Sequence, residues 1–317
     1  LIAHLTNAAA GIVLVNAYDA GRIRWVWADR IAWLFPLMVQ FSFGALFSGF
    51  VVLYVRSGSF VASWLFLALL AFLLVGNEFF RSRYRRLIFH LSVYFVALYA
   101  YLILAVPVVT NRIGAEMFLV SGAIALALIT LFGSGLRLFA PPAMRERKRV
   151  LTASIGIIFT AFNLLYFTNA IPPIPLALKR LGVYHAVEAI NGSYRISYEP
   201  APSNEFFRQE AKTFHWRPGE AVYAGSAVFA PADIRTGIIH RWLRFDPTAK
   251  QWVETDRMLF TITGGRDQGW RGYTLKYGVT PGWWRVEVRT ARGQLLGRTT
   301  FEIAETGEVP KLETRTL

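Results

Sequence analysis

Residues Val150 to Ile171, VLTASIGIIFTAFNLLYFTNAI, decide how this chain is read. The stretch holds 22 residues and no charge. As a helix it would span ~33 Å, enough to cross the hydrocarbon core of a bilayer. The basic run Arg145-Glu146-Arg147-Lys148-Arg149 stands directly before it, and Pro172-Pro173 stands directly after it, where the helix is expected to end. Upstream the sequence is apolar and patterned for lipid. Downstream it is polar and patterned as strands. The expected fold is an α-helical integral membrane bundle of about six transmembrane helices over residues 1–172, then an all-β, immunoglobulin-like antiparallel sandwich over residues 193–305. Residues 173–192 are expected to form a Pro-rich exit linker with a short helix, and residues 306–317 a polar C-terminal tail.

Charge supports this division. The net charge is +14, with 14 Lys/Arg against 5 Asp/Glu in residues 1–172 and 20 against 15 in residues 173–317. The basic residues of the first half lie between apolar segments, where the positive-inside rule places them, so they are read as topology and not as a nucleic-acid footprint. There is no Cys, which excludes disulfides, thiolate nucleophiles and Cys-ligated metal. No cofactor or metal site is expected. The sequence begins at Leu1, so residues before it are expected to be missing and no leader is read from it.

The expected spans are Leu1–Tyr18, Ile31–Val55 with a kink at Pro36, Phe60–Gly76, Leu87–Val109, Met117–Gly135 and the helix at Val150–Ile171. Putting segments 19–30, 81–86 and 137–149 on the cytoplasmic side satisfies all three long basic loops and leaves the C-terminal half outside the cytoplasm. Arg81, Arg83, Arg85 and Arg86 are expected to meet anionic lipid headgroups. Glu78 is read as a boundary partner of Arg81, His90 as interfacial, and Asn163 as an interhelical hydrogen bonder.

Beyond residue 193 the sequence turns to short runs of β-branched and aromatic residues bounded by Gly, Pro and Asp. Expected strands are Tyr194–Tyr198, Ala221–Phe229, Gly237–Phe245, Met258–Thr263, Trp270–Tyr277, Trp283–Arg289 and Leu295–Ile303. Trp284, Val286 and Val288 alternate against Trp283, Arg285, Glu287 and Arg289, and Ala291-Arg292-Gly293-Gln294 reads as a hairpin. Gly264-Gly265-Arg266-Asp267-Gln268-Gly269 reads as a glycine-rich hairpin turn in preference to an anion loop, because no helix follows it. Cations beside aromatics nominate a binding surface: His240, Trp242, Arg266, Trp270, Arg271, Tyr273, Lys276, Trp283 and Arg285. No triad, acid dyad or HExxH pattern is visible, so no catalytic residues and no enzyme activity are expected.

The run from His240-Arg-Trp through Gly264-Gly265-Arg266, Trp270-Arg271-Gly272-Tyr273 and Pro281-Gly282-Trp283-Trp284-Arg285-Val286 to Gly293-Gln294-Leu295-Leu296-Gly297 resembles the bacterial domain of unknown function DUF 2914. Residues Ile171–Leu176, Gly182–His185, Phe229-Ala-Pro231, Gln40–Gly44 and Asn77-Glu78 resemble its membrane-anchored members. The resemblance implies a bacterial inner-membrane, multi-pass protein with its C-terminal domain in the periplasm. It assigns no activity. The expected function is a non-enzymatic protein whose exported β domain binds an envelope protein partner or a glycan. The alternative is a transporter, or a subunit of a membrane complex, with the β domain regulating or assembling it.

Overall fold

The computed structural model describes residues 1–23, 27–57, 60–79, 87–139, 148–172, 175–190, 193–202, 210–231, 234–265 and 269–316. Two compact units are present: a helical one, Leu1–Arg56 with Phe60–Ile174, and a β unit, Pro175–Leu317. The division lies two residues beyond the expected boundary at 172.

The helical unit contains α1 (Ile2–Asp19), α2 (Ala28–Ile31), α3 (Leu34–Arg56), α4 (Phe60–Phe79), α5 (Leu87–Thr110), α6 (Ala115–Phe139) and α7 (Lys148–Phe167). Six of these match the expected spans in position. Among the described residues, four segments are long and apolar enough to cross a membrane: Asp29–Arg56, Leu87–Thr110, Ala115–Phe139 and Lys148–Phe167. Helix α5 is the centre of the bundle, with Phe95, Ala97, Tyr99 and Ala100 fully buried. Several polar side chains inside the unit are matched to partners, as a low-dielectric interior favours. Asn7 Nδ2 donates to Ser42 Oγ at 2.6 Å, and Asn77 Nδ2 donates to the Gln40 carbonyl at 3.0 Å while Gln40 Nε2 returns a bond to the Asn77 carbonyl at 3.4 Å. Gly44 admits that pair, because a Cβ there would lie 3.2 Å from Asn77 Nδ2.

The helix that opened the reading, α7, lies at the margin of the bundle. Only Phe162 and Tyr166 are buried along it. Phe162 stacks on Tyr99 at 4.7 Å and Tyr166 on Phe118 at 3.7 Å. Asn163 donates to the Phe159 carbonyl at 2.8 Å and reaches Tyr99 Oη at 3.5 Å, the interhelical role expected of it. The helix does not run to Ile171 and is not stopped by proline. Asn169 adopts φ 60°, its amide bonds the Tyr166 carbonyl at 3.1 Å, and the Ala170 amide bonds the Leu165 carbonyl at 2.8 Å. This is a Schellman stop, with Asn taking the left-handed position that otherwise favours Gly. Two further expectations are corrected. Pro36 sits in the first turn of α3, where its missing N–H costs nothing, so it marks a start and not a kink. His90 is fully buried inside the unit instead of facing an interface. Arg81, Arg83, Arg85 and Arg86 lie outside the described residues, as does the side chain of Glu78.

The β unit has eleven described strands: β1 (Ala177–Tyr184), β2 (Ala186–Ile190), β3 (Ser193–Tyr198), β4 (Thr213–Trp216), β5 (Val222–Phe229), β6 (Arg235–Asp246), β7 (Gln251–Thr263), β8 (Trp270–Lys276), β9 (Gly282–Thr290), β10 (Leu295–Glu305) and β11 (Glu313–Thr316). They form a five-stranded sheet in the order β4-β10-β9-β6-β7, a central sheet β1-β5-β8, and a third sheet β11-β3-β2. Every described pairing is antiparallel except β4 with β10. Trp242, Trp284, Val286, Phe301 and Ile303 of the five-stranded sheet share one apolar core with Val222 and Ala224 of the central sheet. On the other face of the central sheet, Tyr184 packs with Ile196 and Tyr198 of the third. Strand β5, between two partners and between two layers, is buried along almost its whole length.

All seven expected strands are present, and four were not anticipated. The short helix expected within Leu176–Ala189 is replaced by β1 and β2. Local helix propensity loses there to tertiary pairing: Gly182 stands opposite Gly225, and the Tyr184 ring lies over both glycines. The tail expected at 306–317 contains β11, which pairs with β3. The Gly264–Gly269 segment is not a hairpin turn, because it joins β7 in one sheet to β8 in another.

Candidate functional site

Strand alternation sorts the nominated residues onto different faces. His240 and Trp242 point between the five-stranded and central sheets and are fully buried, so the expectation that they contact a partner is corrected. The His240 ring bridges the layers, with Nε2 2.8 Å from Ser226 Oγ and Nδ1 2.9 Å from Thr274 Oγ1. Trp242 Nε1 donates to the same Thr274 oxygen at 3.1 Å. Burial lowers the His240 pKa to about 4, so the imidazole is neutral near pH 7. Trp270 stacks on Phe260 at 6.1 Å, and Lys276 is paired with Asp256 and lies 5.5 Å from the Trp284 ring centre. Arg271 and Tyr273 leave the opposite face of β8 and line a small cleft with Tyr194 and Tyr184. Arg266 lies outside the described residues.

Trp283 and Arg285 remain, and they project from the outer face of the five-stranded sheet. Strand register extends that face across four strands. Arg285 stands opposite Leu243 and Thr300, Trp283 opposite Glu302, and Phe245 opposite Trp252. The Arg285 guanidinium lies 3.9 Å from the centre of the Trp252 ring, and its Nε donates to Thr300 Oγ1 at 3.2 Å. Lys212 Nζ lies 5.1 Å from the Trp283 ring, and Phe245 packs on Trp252 at 5.3 Å. Burial lowers the Arg285 pKa, an effect reinforced by the nearby charge of Arg298 and opposed by Glu287. The surface is therefore a row of half-exposed indoles with cations already seated on them. Such rings offer flat faces to a sugar or to an apolar side chain.

Sequence reasoning missed a cavity of about 450 Å³, lined by residues that include Arg180, Glu199, Glu210, Phe214 and Thr300. Beside it, Glu199 takes bonds from His185 Nε2 at 2.8 Å, His215 Nδ1 at 2.6 Å and the His215 amide at 2.7 Å. Burial alone would raise its pKa, but these bonds outweigh burial and hold the carboxyl below the usual range. For Glu210 burial wins over Arg180 and Arg315, and the pKa rises. The three clamp residues lie 14 and 16 positions apart, His185 between β1 and β2, Glu199 just past β3 and His215 within β4, a spacing without a motif. Among the described residues, no group of three or more His, Asp or Glu could hold a metal ion. The clamp instead ties the β1–β2 corner to β4. Replacing Glu199 by Gln is expected to cost about 1–3 kcal/mol at neutral pH. Because the folded pKa is depressed, the ionised form stabilises the fold above pH 4.5, and that contribution disappears as pH falls through the lowered value. Urea unfolding of wild type and variant should therefore converge in acid.

Residues 235–303 match the family model described as Protein of unknown function (DUF2914). They run from the start of β6 to within β10 and so carry the whole outer face except β4. This DUF2914 region was legible in the sequence from its Trp, Arg and Gly pattern. No curated protein matches the chain. Among solved structures, a beta-glucosidase from Listeria innocua in complex with glucose is similar at 12% identity and a TM-score of 0.24, over 39% of this chain and 16% of that one. An immunoglobulin-like protein from Pseudomonas aeruginosa is similar at 13% identity and a TM-score of 0.22, over 39% of this chain and 97% of that one. An alkylpurine DNA glycosylase from Pseudomonas fluorescens bound to DNA containing an abasic site analog is similar at 11% identity and a TM-score of 0.26, over 96% and 98%. At these scores none carries an argument about fold or activity here.

Proposed function

We propose that this chain is a bacterial inner-membrane protein that holds an immunoglobulin-like β unit in the periplasm, where the outer face of the five-stranded sheet binds an envelope glycan. Large apolar side chains stand exposed on the helices, among them Phe41, Phe72, Leu131 and Ile157, and lipid is a medium that covers such a surface without cost. The positive-inside pattern of the basic loops supports an external β unit. The observation that carries the binding assignment is the Trp252–Arg285 and Lys212–Trp283 platform, in which cations hold aromatic rings in place on a rigid sheet. An envelope protein is the second occupant that such a face could take. Nothing in this reading requires catalysis.

The absence of cysteine makes orientation directly measurable. Thr261→Cys, on an exposed position of β7, should react with a membrane-impermeant maleimide on intact spheroplasts. Labelling confined to inverted vesicles would overturn the topology. Trp252→Ala with Trp283→Ala should weaken binding of envelope glycan fragments by about tenfold or more, given the 1–3 kcal/mol that an aromatic stacking contact contributes. Unchanged binding would remove the platform from the account.

A further inference from the structure

The same outer face ends in a second feature that the platform does not use. A surface cavity of about 200 Å³ is lined by Ile239, Arg241, Arg257, Arg289, Ala291, Arg292 and Gly293. The register explains the convergence: Arg241 of β6 stands directly opposite Arg257 of β7 and Glu287 of β9, and Arg289 stands opposite Ile239. Arg292 comes from the β9–β10 turn. Two cations directly across a ladder repel each other and lower sheet stability, so this pairing has no structural benefit of its own.

Two carboxylates partly neutralise the group. Glu254 pairs with Arg241 and with Arg257 Nε at 3.0 Å. Glu287, nearly buried, accepts from Arg289 Nε at 2.8 Å and lies 3.5 Å from Arg241 Nη1. Arg289 Nη1 also donates to the Gly293 carbonyl at 2.7 Å. Three guanidiniums thus share two carboxylates, and Arg292 adds a fourth guanidinium at the wall. A guanidinium has five N–H donors, so Arg241, Arg257 and Arg289 each carry more donors than these contacts use, at the wall of the cavity. The carboxylates fix the arginines as a bed, and the remaining donors form a concave, cationic surface of the kind that concentrates anions. Planar forks match the oxygens of a phosphate group.

We propose that this cavity binds a phosphate-type oxyanion. Its volume falls below that of a site enclosing a whole small molecule, so it takes the charged group and leaves the remainder on the open face. This deepens, and rests on, the reading of that face as a glycan surface: the glycan would be a phosphorylated one, with its phosphate among the arginines and its rings running toward Trp252 and Trp283.

The test uses the full chain in nanodiscs of zwitterionic lipid at about 0.15 M salt, where weak surface attraction is screened. Inorganic phosphate, titrated calorimetrically, should bind saturably and at least tenfold more tightly than acetate. Arg257→Gln removes an exposed member while Glu254 keeps Arg241, and should weaken phosphate at least tenfold with amide exchange of the β unit unchanged. Arg292→Gln should do the same from the turn. No saturable binding at about 10 mM phosphate, or an affinity in both variants unchanged from wild type, overturns the site. Competition by glucose 1-phosphate at lower concentration than by glycerol 3-phosphate assigns the group to a sugar, and equal competition by the two overturns the glycan. Competition by phosphatidylglycerol vesicles alone keeps the oxyanion site and overturns the glycan. The platform substitutions should leave inorganic phosphate binding intact, so loss of glycan fragments with phosphate retained sinks the wider reading only, and the reverse sinks only this one.

Discussion

Between pH 6.5 and pH 4 the β unit is expected to lose about 3 kcal/mol of stability through His240 alone. The ring is fully buried between two sheets, and burial holds its pKa near 4 against an ordinary 6.5. In that window the unfolded chain takes a proton that the folded chain refuses. Stability therefore falls as pH is lowered through 6.5 and levels off below about 4. The neutral ring fits its surroundings. If Thr274 accepts from Trp242 Nε1 and donates to His240 Nδ1, then Nε2–H is left to donate to Ser226. Hydrogen exchange of the β6 and β9 amides in the full-length protein should show the slope. His240→Gln should lower stability at neutral pH and flatten the curve between pH 6.5 and 4. A wild-type curve that is flat there would mean that the ring is not buried as described. The Glu199 effect sets in near pH 4.5 and overlaps the His240 limb only at its acidic end, so the slope between about pH 6.5 and 5 belongs to His240.

Gly264→Ala is expected to cost about 3 kcal/mol or more, at the upper end of what overpacking does. A Cβ at Gly264 would lie 1.7 Å from the Pro231 carbonyl oxygen and 2.9 Å from that of Ala230. Both contacts are backbone, so no side chain can swing aside. The Gly264 amide is bonded to the Ile234 carbonyl at 2.8 Å and the Gly265 amide to that of Ala230 at 3.2 Å, which fixes the two segments against each other. Gly307→Ala, with nothing within 4 Å, is the control and should be close to neutral. Thermal unfolding followed by the near-ultraviolet signal of the buried tryptophans reads both. Equal midpoints would show that the link between β7 and β8 yields more readily than its packing indicates.

These two positions show where sequence reasoning reaches its limit. The strands themselves were legible: β9 and β10 alternate cleanly, and Trp284, Val286 and Val288 face the core as read. Strand β1 was hidden because LALKRLG has helix-forming composition, and its strand state depends on a partner about 43 residues further on, with Gly225 opposite Gly182. The end of α7 was misplaced because Pro172-Pro173 is the louder signal and Asn169 the quieter one. Alternation told which nominated residues share a face but not which face is inward, so His240 and Trp242 were grouped with Trp283 and Arg285. Arg241, Arg257 and Arg289 were all visible, yet their meeting depends on the β6–β7 register and on the irregularity between Trp242 and Leu243 that skips Thr255. No local pattern encodes that shift.

The parallel pairing of β4 with β10 has a consequence for how the molecule is made. Residues Thr213–Trp216 have no ladder partner until Glu302–Glu305 have been synthesised, and Phe214 and Trp216 belong to the main core. Contacts so distant in sequence raise the contact order, and domains of that kind fold slowly and as a whole. A chain synthesised from its N-terminal end must therefore wait with that apolar edge uncovered until the last residues of β10 are made.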